Sequence, residues 1–284
     1  MNPISPYKLN SFTILVISIY LITILNGCNS DSTKATHTSN STLSRLNDTG
    51  ITLYTQNFPM RLETDPKPIA LTLTPDTSAP GQDADTGSDT NSDNSNNDGI
   101  GGFQFTKLDS NGKALENQAN HYSTEQWQCV KDEITGLTWE IKTLSGLQQN
   151  AHRYTWYEPN ENINGGHAGE IGDNTICDEL TNCNTNAYIA AINALNSGKG
   201  LCGINSWRLP LREELRSLID YSVIDGPMID TNFFPNTEAT DTWTSQTSYY
   251  RSNDGISAWE VHFNKGYSEE HKKSANDVTV RLVH

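Results

Sequence analysis

The sequence predicts an α+β domain, two helices embedded among short antiparallel strands, preceded by an export signal and an acidic linker. Three observations carry that prediction. Two stretches repeat apolar residues at helical spacing, and several others alternate them at strand spacing between Gly- and Asn-containing turns. All six tryptophans lie beyond residue 103. The material for a core is therefore confined to residues 103–284, roughly 180 residues and enough for one core.

The chain opens with a polar segment holding one cation, Lys8, then the apolar run "SFTILVISIYLITIL" and Asn26, Gly27 and Cys28. The run is short for a membrane span and has the shape of a secretory h-region. "LNGC" resembles a bacterial lipobox, which makes residues 1–27 the signal peptide and Cys28 the lipidated first residue of the mature chain. Asn29, where an aspartate would retain the protein at the inner membrane, points to the outer membrane. Residues 28–45 are too poor in apolar groups to repay ordering and form a tether. Residues 46–74 hold strand-like "ITLYTQ" and "IALTLT", interrupted by prolines at 59, 66 and 68, and form a possible accessory segment. Residues 75–102 carry six Asp, no Lys or Arg and no aromatic side chain, the composition of an acidic linker. "NSNNDG" at its end lacks the closing carboxylate that a calcium loop needs.

Within the domain, "FQFTKLDSNGKAL" reads as strand, turn and strand, and "CVKDEITGLTWEIK" repeats the pattern around Asp132 to Gly136. "TNAYIAAINALNSG" reads as a helix with Ala187, Tyr188, Ala191, Ile192 and Leu195 on one face and Gly198 as its stop. In "NSWRLPLREELRSLIDY", Pro210 suits the approach to a helix beginning at about Leu211. Leu211, Leu215, Leu218 and Ile219 form its apolar stripe, with Arg212, Glu213, Arg216 and Asp220 on the other face. Trp207 and Leu209 alternate with Arg208 in a short extended segment. The end is β: "AWEVHF" alternates Trp259, Val261 and Phe263, and after a turn at Asn264 to Gly266 "VTVRLV" places Val278, Val280 and Leu282 on one side.

Four cysteines follow Cys28, an even number in an exported chain, which reads as two disulfides. Cys177 and Cys183 are close enough to close a small loop, leaving Cys129 and Cys202 as a long-range staple. A zinc site is the rival, but paired C-x-x-C spacing and a following histidine are missing. Without residues 1–27 the chain has 18 Lys+Arg against 34 Asp+Glu, a surface that repels nucleic acid and anionic lipid headgroups.

The ordered series "CVKDEITGLTWE", "YTWYEPNENINGG", "CNTNAYIAAINAL", "LCGINSWRLPLREELRSLIDY", "IDTNFFPNT", "TWTSQ", "AWEVHFNKG" and "VRLV" resembles the Lcl C-terminal domain (Lcl_C) family over about residues 125–283. The "WRLP-x-x-EL" core is also similar to a segment of formylglycine-generating-enzyme-like proteins, which belong with C-type-lectin-like folds. The resemblance implies a C-type-lectin-like α+β fold in a surface-exposed module. Adhesion to sulfated glycans and host surfaces is a property of a collagen-like adhesin in the family. No catalytic residue is implied. Where the family usually has Thr or Ser after the proline, this chain has Leu211, which loses a side-chain cap; Glu213 and Glu214 can compensate through the helix dipole.

The candidate ligand-binding residues are Trp156, Tyr157, Tyr249, Tyr250 and Arg251, aromatic and cationic groups in polar company, as sugar stacking or a protein contact would use. Glu158, Pro159 and Asn160 spell a tripeptide of calcium-dependent lectins, but they precede both helices and no "WND" partner follows. Scattered histidines, His152, His167, His262 and His271 among them, form no H-x-x-x-H, and a serine elbow is absent. The expectation is a binding and adhesion module for a glycan or protein ligand, without catalytic residue, cofactor or metal. Trimeric assembly stays open. A structural surface component and an enzyme whose site is assembled by folding are the alternatives. Residues 103–284 carry 14 Lys+Arg against 24 Asp+Glu, which favours a neutral ligand over a sulfated polymer.

Overall fold

The computed structural model describes residues 47, 49, 54–55, 71–72, 97–250 and 255–284. Internal contacts divide the chain into residues 1–42 and 43–284, and every described residue lies in the second unit. The residues read as signal peptide and tether, Cys28 among them, lie outside the described residues, as do most of those read as linker and Arg251.

Strands and helices follow in the order β1 (Tyr54–Thr55), β2 (Leu71–Thr72), β3 (Phe105–Leu108), β4 (Cys129–Asp132), β5 (Thr138–Glu140), α1 (Thr185–Gly198), α2 (Arg212–Arg216), β6 (Asp241–Ser248), β7 (Ser257–His262) and β8 (Ser268–Lys272). They form a mixed α+β architecture of three antiparallel sheets, β1-β2, β3-β4-β5 and β6-β7-β8. The two short strands of the accessory segment fall where "ITLYTQ" and "IALTLT" predict them. Upstream of them the Asn47 amide donates to Asp132 and to the Ser217 carbonyl, and Tyr221 N–H donates to the Thr49 carbonyl. Residues 97–102, inside the stretch read as linker, also join the folded body: Phe105 N–H donates to the Asp98 carbonyl, and Gly99, Gly101 and Gly102 are buried.

The β4–β5 hairpin closes as predicted. Asp132 Oδ1 accepts from the N–H groups of Ile134 and Thr135, and Gly136 adopts the left-handed conformation at φ 77° that glycine supplies without steric cost. Helix α1 is capped by Asn184, whose Oδ1 accepts from Ala187 N–H at 2.8 Å. It buries Thr185, Tyr188 and Ile192. Its regular geometry stops before the predicted Gly198. Leu195 is extended, and Asn196 and Ser197 take left-handed φ of 53° and 59°. The Asn196 amide donates to the Gly200 carbonyl at 2.9 Å and holds the turn.

Helix α2 starts where proline places it, with two corrections to its faces. Leu215, Leu218 and Ile219 are buried, but Leu211 caps the helix from outside and is 44% exposed. Asp220, expected on the polar face, is buried, and its carboxylate accepts from Ser222 N–H and Oγ–H in a local turn. The missing Ser/Thr cap is replaced: Glu214 Oε2 accepts from Leu211 N–H at 2.7 Å while both Glu214 oxygens hold Arg208, each at 2.7 Å. Arg208 stands between two apolar residues because its guanidinium locks the helix entry.

At the C-terminal end, Val278, Val280 and Leu282 are buried as the alternation predicts, but they do not pair with the "AWEVHF" strand. They lie in a segment that makes isolated bridges, Val283 to both Trp139 and Arg208 and Thr279 to Thr242. Its backbone is thereby shared between β5, the Trp207–Leu209 segment and β6. The partner of β7 is instead β8, whose sequence SEEHK has no apolar alternation; a polar edge strand carries no hydrophobic signal.

The core consists of two apolar clusters. One gathers Trp156, Trp207, Trp243, Tyr154, Tyr188 and Ile192 around α1. The other gathers Phe103, Trp127, Trp139, Phe234, Leu215 and Ile219 around α2. Each fully buried side chain of this size contributes about 1.5–3 kcal/mol. Disulfides Cys129–Cys202 and Cys177–Cys183 form in the predicted pairing, both within the first cluster.

Candidate functional site

Two grooves on the domain differ in chemistry. The first, about 420 Å³, runs between the loop after Trp156 and the start of α2, and it is lined by Tyr157, Glu158, Ile163, Ile189, Leu209 and Leu211 over the edge of Trp156. The loop is a built structure. Tyr157 bridges to Gly169, Glu158 N–H donates to the Ala168 carbonyl, and the Thr185 hydroxyl at the start of α1 both donates to the Tyr157 carbonyl and accepts from Tyr157 N–H. Gly169, at φ 90°, lies so close to Trp156 that a Cβ there would sit 2.0 Å from the Trp156 carbonyl oxygen. Underneath, the buried Lys273 ammonium donates to the carbonyls of Asn164 (2.7 Å) and His167 (2.6 Å) and stands 4.3 Å from the Trp156 ring centre. Burial pulls the pKa of Lys273 down to about 8.

The predicted ligand residues are dispersed by this arrangement. Trp156 corrects the expectation of an exposed platform: it is 1% exposed, its indole N–H donates to the Thr244 carbonyl at 2.9 Å, and Lys273 covers its face. Tyr157 is half-buried in the groove wall. Tyr249 and Tyr250 are exposed (50% and 79%), and the Tyr249 hydroxyl donates to the Gly165 carbonyl of the loop. The oxygens of the Glu158–Asn160 tripeptide are held in local turns at the surface, Glu158 Oε1 accepting from Asn160 N–H and Asn160 Oδ1 from Asn162 N–H.

The second groove, about 540 Å³, lies on one face of β6-β7-β8 and is lined by Asp241, Glu260, His262, Glu269, His271 and Lys272 among others. Register brings them together: Asp241 pairs with His262 across β6 and β7, and Glu260 with Glu269 across β7 and β8. His262 Nδ1 contacts Asp241 Oδ1, and its Nε2 lies 3.4 Å from Glu260 Oε1 and 3.5 Å from Glu269 Oε2. His271 Nδ1 is 3.2 Å from Glu260 Oε2. Burial pulls the His262 imidazole down, but the Asp241 and Glu260 carboxylates beside it outweigh it and hold its pKa at about 9.

Other buried charges are architectural. Glu140 accepts from the Tyr188 hydroxyl, from Lys142 Nζ at 2.9 Å and from Leu282 N–H at 2.9 Å, while Arg281 donates to the Glu140 carbonyl at 2.7 Å. The group is fully enclosed between β5, α1 and the C-terminal segment. Burial lowers the Lys142 pKa despite its carboxylate partner.

Residues 128–284 match the sequence profile of the Lcl C-terminal domain, more than half of the 284-residue chain. The chain belongs to the Lcl_C family. The Lcl_C domain takes in β4 to β8, both helices, both disulfides and every residue of the two grooves named above, whereas β1 to β3 precede it. No curated protein and no solved structure matches the chain.

Sequence reasoning missed Ile163, Ile189, Leu209 and Leu211 as groove residues, since an aliphatic residue in a polar loop reads as core or as noise. It noted His262 only as a scattered histidine. The available signal was the i, i+2 pair Glu260 and His262 within a strand, two ionisable groups on one face.

Proposed function

We propose that this Lcl_C domain is a binding module with a C-type-lectin-like arrangement, carried by a lipid anchor on Cys28 at the outer membrane, and that its aliphatic groove takes an apolar segment of a protein partner. The observation that carries the reading is the groove itself. Ile163 and Leu211, 59% and 44% exposed, flank a floor of Leu209, Ile189 and Tyr157 on a loop fixed by Lys273. A monomer gains nothing from holding such side chains out of its core; a partner's apolar anchors would bury them. Glu158 and the Glu214-paired Arg208 line the groove, and residues 103–284 carry 24 acidic against 14 basic residues. Basic flanks on the partner complement that charge, and sulfated polymers do not.

A neutral glycan stacked on Tyr249 and Tyr250 is the second reading, favoured by the exposure of those rings. An enzyme of the formylglycine-generating type would need reactive thiols, and Cys129, Cys177, Cys183 and Cys202 are all paired.

The test is a peptide-display library panned on the purified domain, run beside a glycan array at two salt concentrations. The expected result is enrichment of peptides with apolar anchors flanked by Lys or Arg, whose affinity drops at least about tenfold in Leu211→Asp. Binding confined to sugars and lost in Tyr250→Ala selects the second reading, and salt-sensitive binding to heparin-like polymers contradicts both. The anchor is tested separately: Cys28→Ser should release the protein from the membrane fraction, and unchanged fractionation refutes it.

A further inference from the structure

We infer that the polar groove of β6-β7-β8 is a binding site for a divalent first-row transition cation of the zinc class, held by His262 Nε2 and the carboxylates of Glu260 and Glu269, with Asp241 orienting the imidazole. The proposal is independent of the ligand reading of the aliphatic groove.

His262 is 5% exposed, and its Nε2 is buried without a hydrogen bond. A buried imidazole nitrogen without a hydrogen bond costs free energy, and a cation that displaces its proton would satisfy it. Two carboxylate oxygens face the same nitrogen, 3.4 and 3.5 Å away, and neither makes a hydrogen bond with it. Two donors that share a tetrahedral ion at metal–ligand distances near 2.1 Å lie about 3.4 Å apart. Each of these two spacings is that of a pair of donors on a shared ion.

The other ring nitrogen supports the same assignment. Nδ1 contacts the Asp241 carboxylate, so that carboxylate, imidazole and the open Nε2 stand in line, the arrangement that fixes the tautomer and raises the basicity of a ligating histidine. One donor atom each from Asp241, Glu260 and His262 lies within 4.8 Å of the others, so Asp241 is also close enough to serve as a ligand.

Charge gives an independent reason. Glu260 is 2% exposed and stands directly opposite Glu269 in the β7–β8 register, and like charges across a strand pair repel. His271 Nδ1 occupies the far Glu260 oxygen, which leaves Oε1 toward His262. The two histidines already offset part of this charge, and a cation between the carboxylates would offset more of it. The donor set of one imidazole and carboxylates suits zinc or manganese and disfavours calcium, which takes oxygen ligands alone. The site rests on three adjacent strands, a rigid frame for ligands far apart in sequence.

The test is equilibrium dialysis of the tag-free full chain against Zn²⁺, with metal content read directly, and Co²⁺ as a spectroscopic probe. One saturable equivalent of zinc is expected, together with a visible Co²⁺ ligand-field band. Glu260→Gln and His262→Gln should each weaken zinc binding about 10–100-fold and abolish the band. Because both residues are buried and either variant could misfold, Glu269→Gln at the part-exposed edge is measured too, and a loss of at least several-fold is expected with the circular dichroism unchanged. Absence of saturable zinc binding overturns the proposal. So does wild-type affinity in Glu269→Gln and His262→Gln together, or equal competition by Ca²⁺.

Discussion

The aliphatic and the polar groove are built in opposite ways. The aliphatic groove hangs on loops and helix ends, the 157–169 loop and the Leu209–Leu211 turn, which are fastened by Lys273, by the Arg208–Glu214 pair and by a disulfide just upstream at Cys202. The polar groove sits on a plain antiparallel sheet in which strand register alone sets the side chains beside one another. A loop-built site needs fasteners that can be removed singly, whereas a sheet-built site is as stable as its strands.

Removing the fasteners should therefore separate the grooves, and the largest effect belongs to the long staple. Cys129 and Cys202 enclose a 73-residue separation, and Cys177 and Cys183 one of 6. Loop-closure entropy assigns about 4 kcal/mol to the first and about 2 kcal/mol to the second. Urea unfolding of Cys129→Ser/Cys202→Ser against Cys177→Ser/Cys183→Ser should show that order. Hydrogen exchange should quicken around 201–211 in the first variant while the β6-β8 amides keep their protection; uniform loss across both grooves would break the contrast.

Lys273→Met comes next, at about 2–3 kcal/mol, since it leaves the Asn164 and His167 carbonyls without their buried donor. The same lysine gives the loop a pH signature. Its pKa falls from 10.5 to about 8 on folding, so between those values the unfolded chain binds more protons, and this group's contribution to stability rises with pH from about 8 to 10.5. Denaturation midpoints across that window should lose this rising component in Lys273→Met. Arg208→Ala should cost less, at most about 1 kcal/mol, because its side chain is 46% exposed and water screens the pair. Leu211→Asp should change stability by under about 0.5 kcal/mol, while the proposed partner affinity falls at least about tenfold.

Most of the architecture is legible in the sequence because it is local. Periodicity marks Leu215 in α2 and Leu218 and Ile219 just after it as buried, the turn chemistry of Asp132 and Gly136 predicts the β4–β5 hairpin, and cysteine spacing selects the disulfide pairing. Local signals mislead where a neighbour outside the window decides. Leu211 has the right phase for the stripe but lies one residue before the helix, and Trp156 in its polar loop reads as exposed until Lys273, 117 positions later, covers it. Strand β8 is invisible because its stability comes from pairing with β7. The polar groove is the extreme case: Asp241, Glu260, His262 and Glu269 meet only through cross-strand register, which a linear pattern does not encode.

The central claim is that the aliphatic groove is the surface the protein uses. Its most direct test is a photo-crosslinking side chain placed at Ile163, in the groove, and separately at Ile224, which is 91% exposed but outside the groove lining. Irradiated in intact cells with their natural surroundings, the Ile163 probe should give a discrete protein adduct that Leu211→Asp abolishes, and the Ile224 probe none. Equal adducts from both positions, or none from Ile163, would contradict the account.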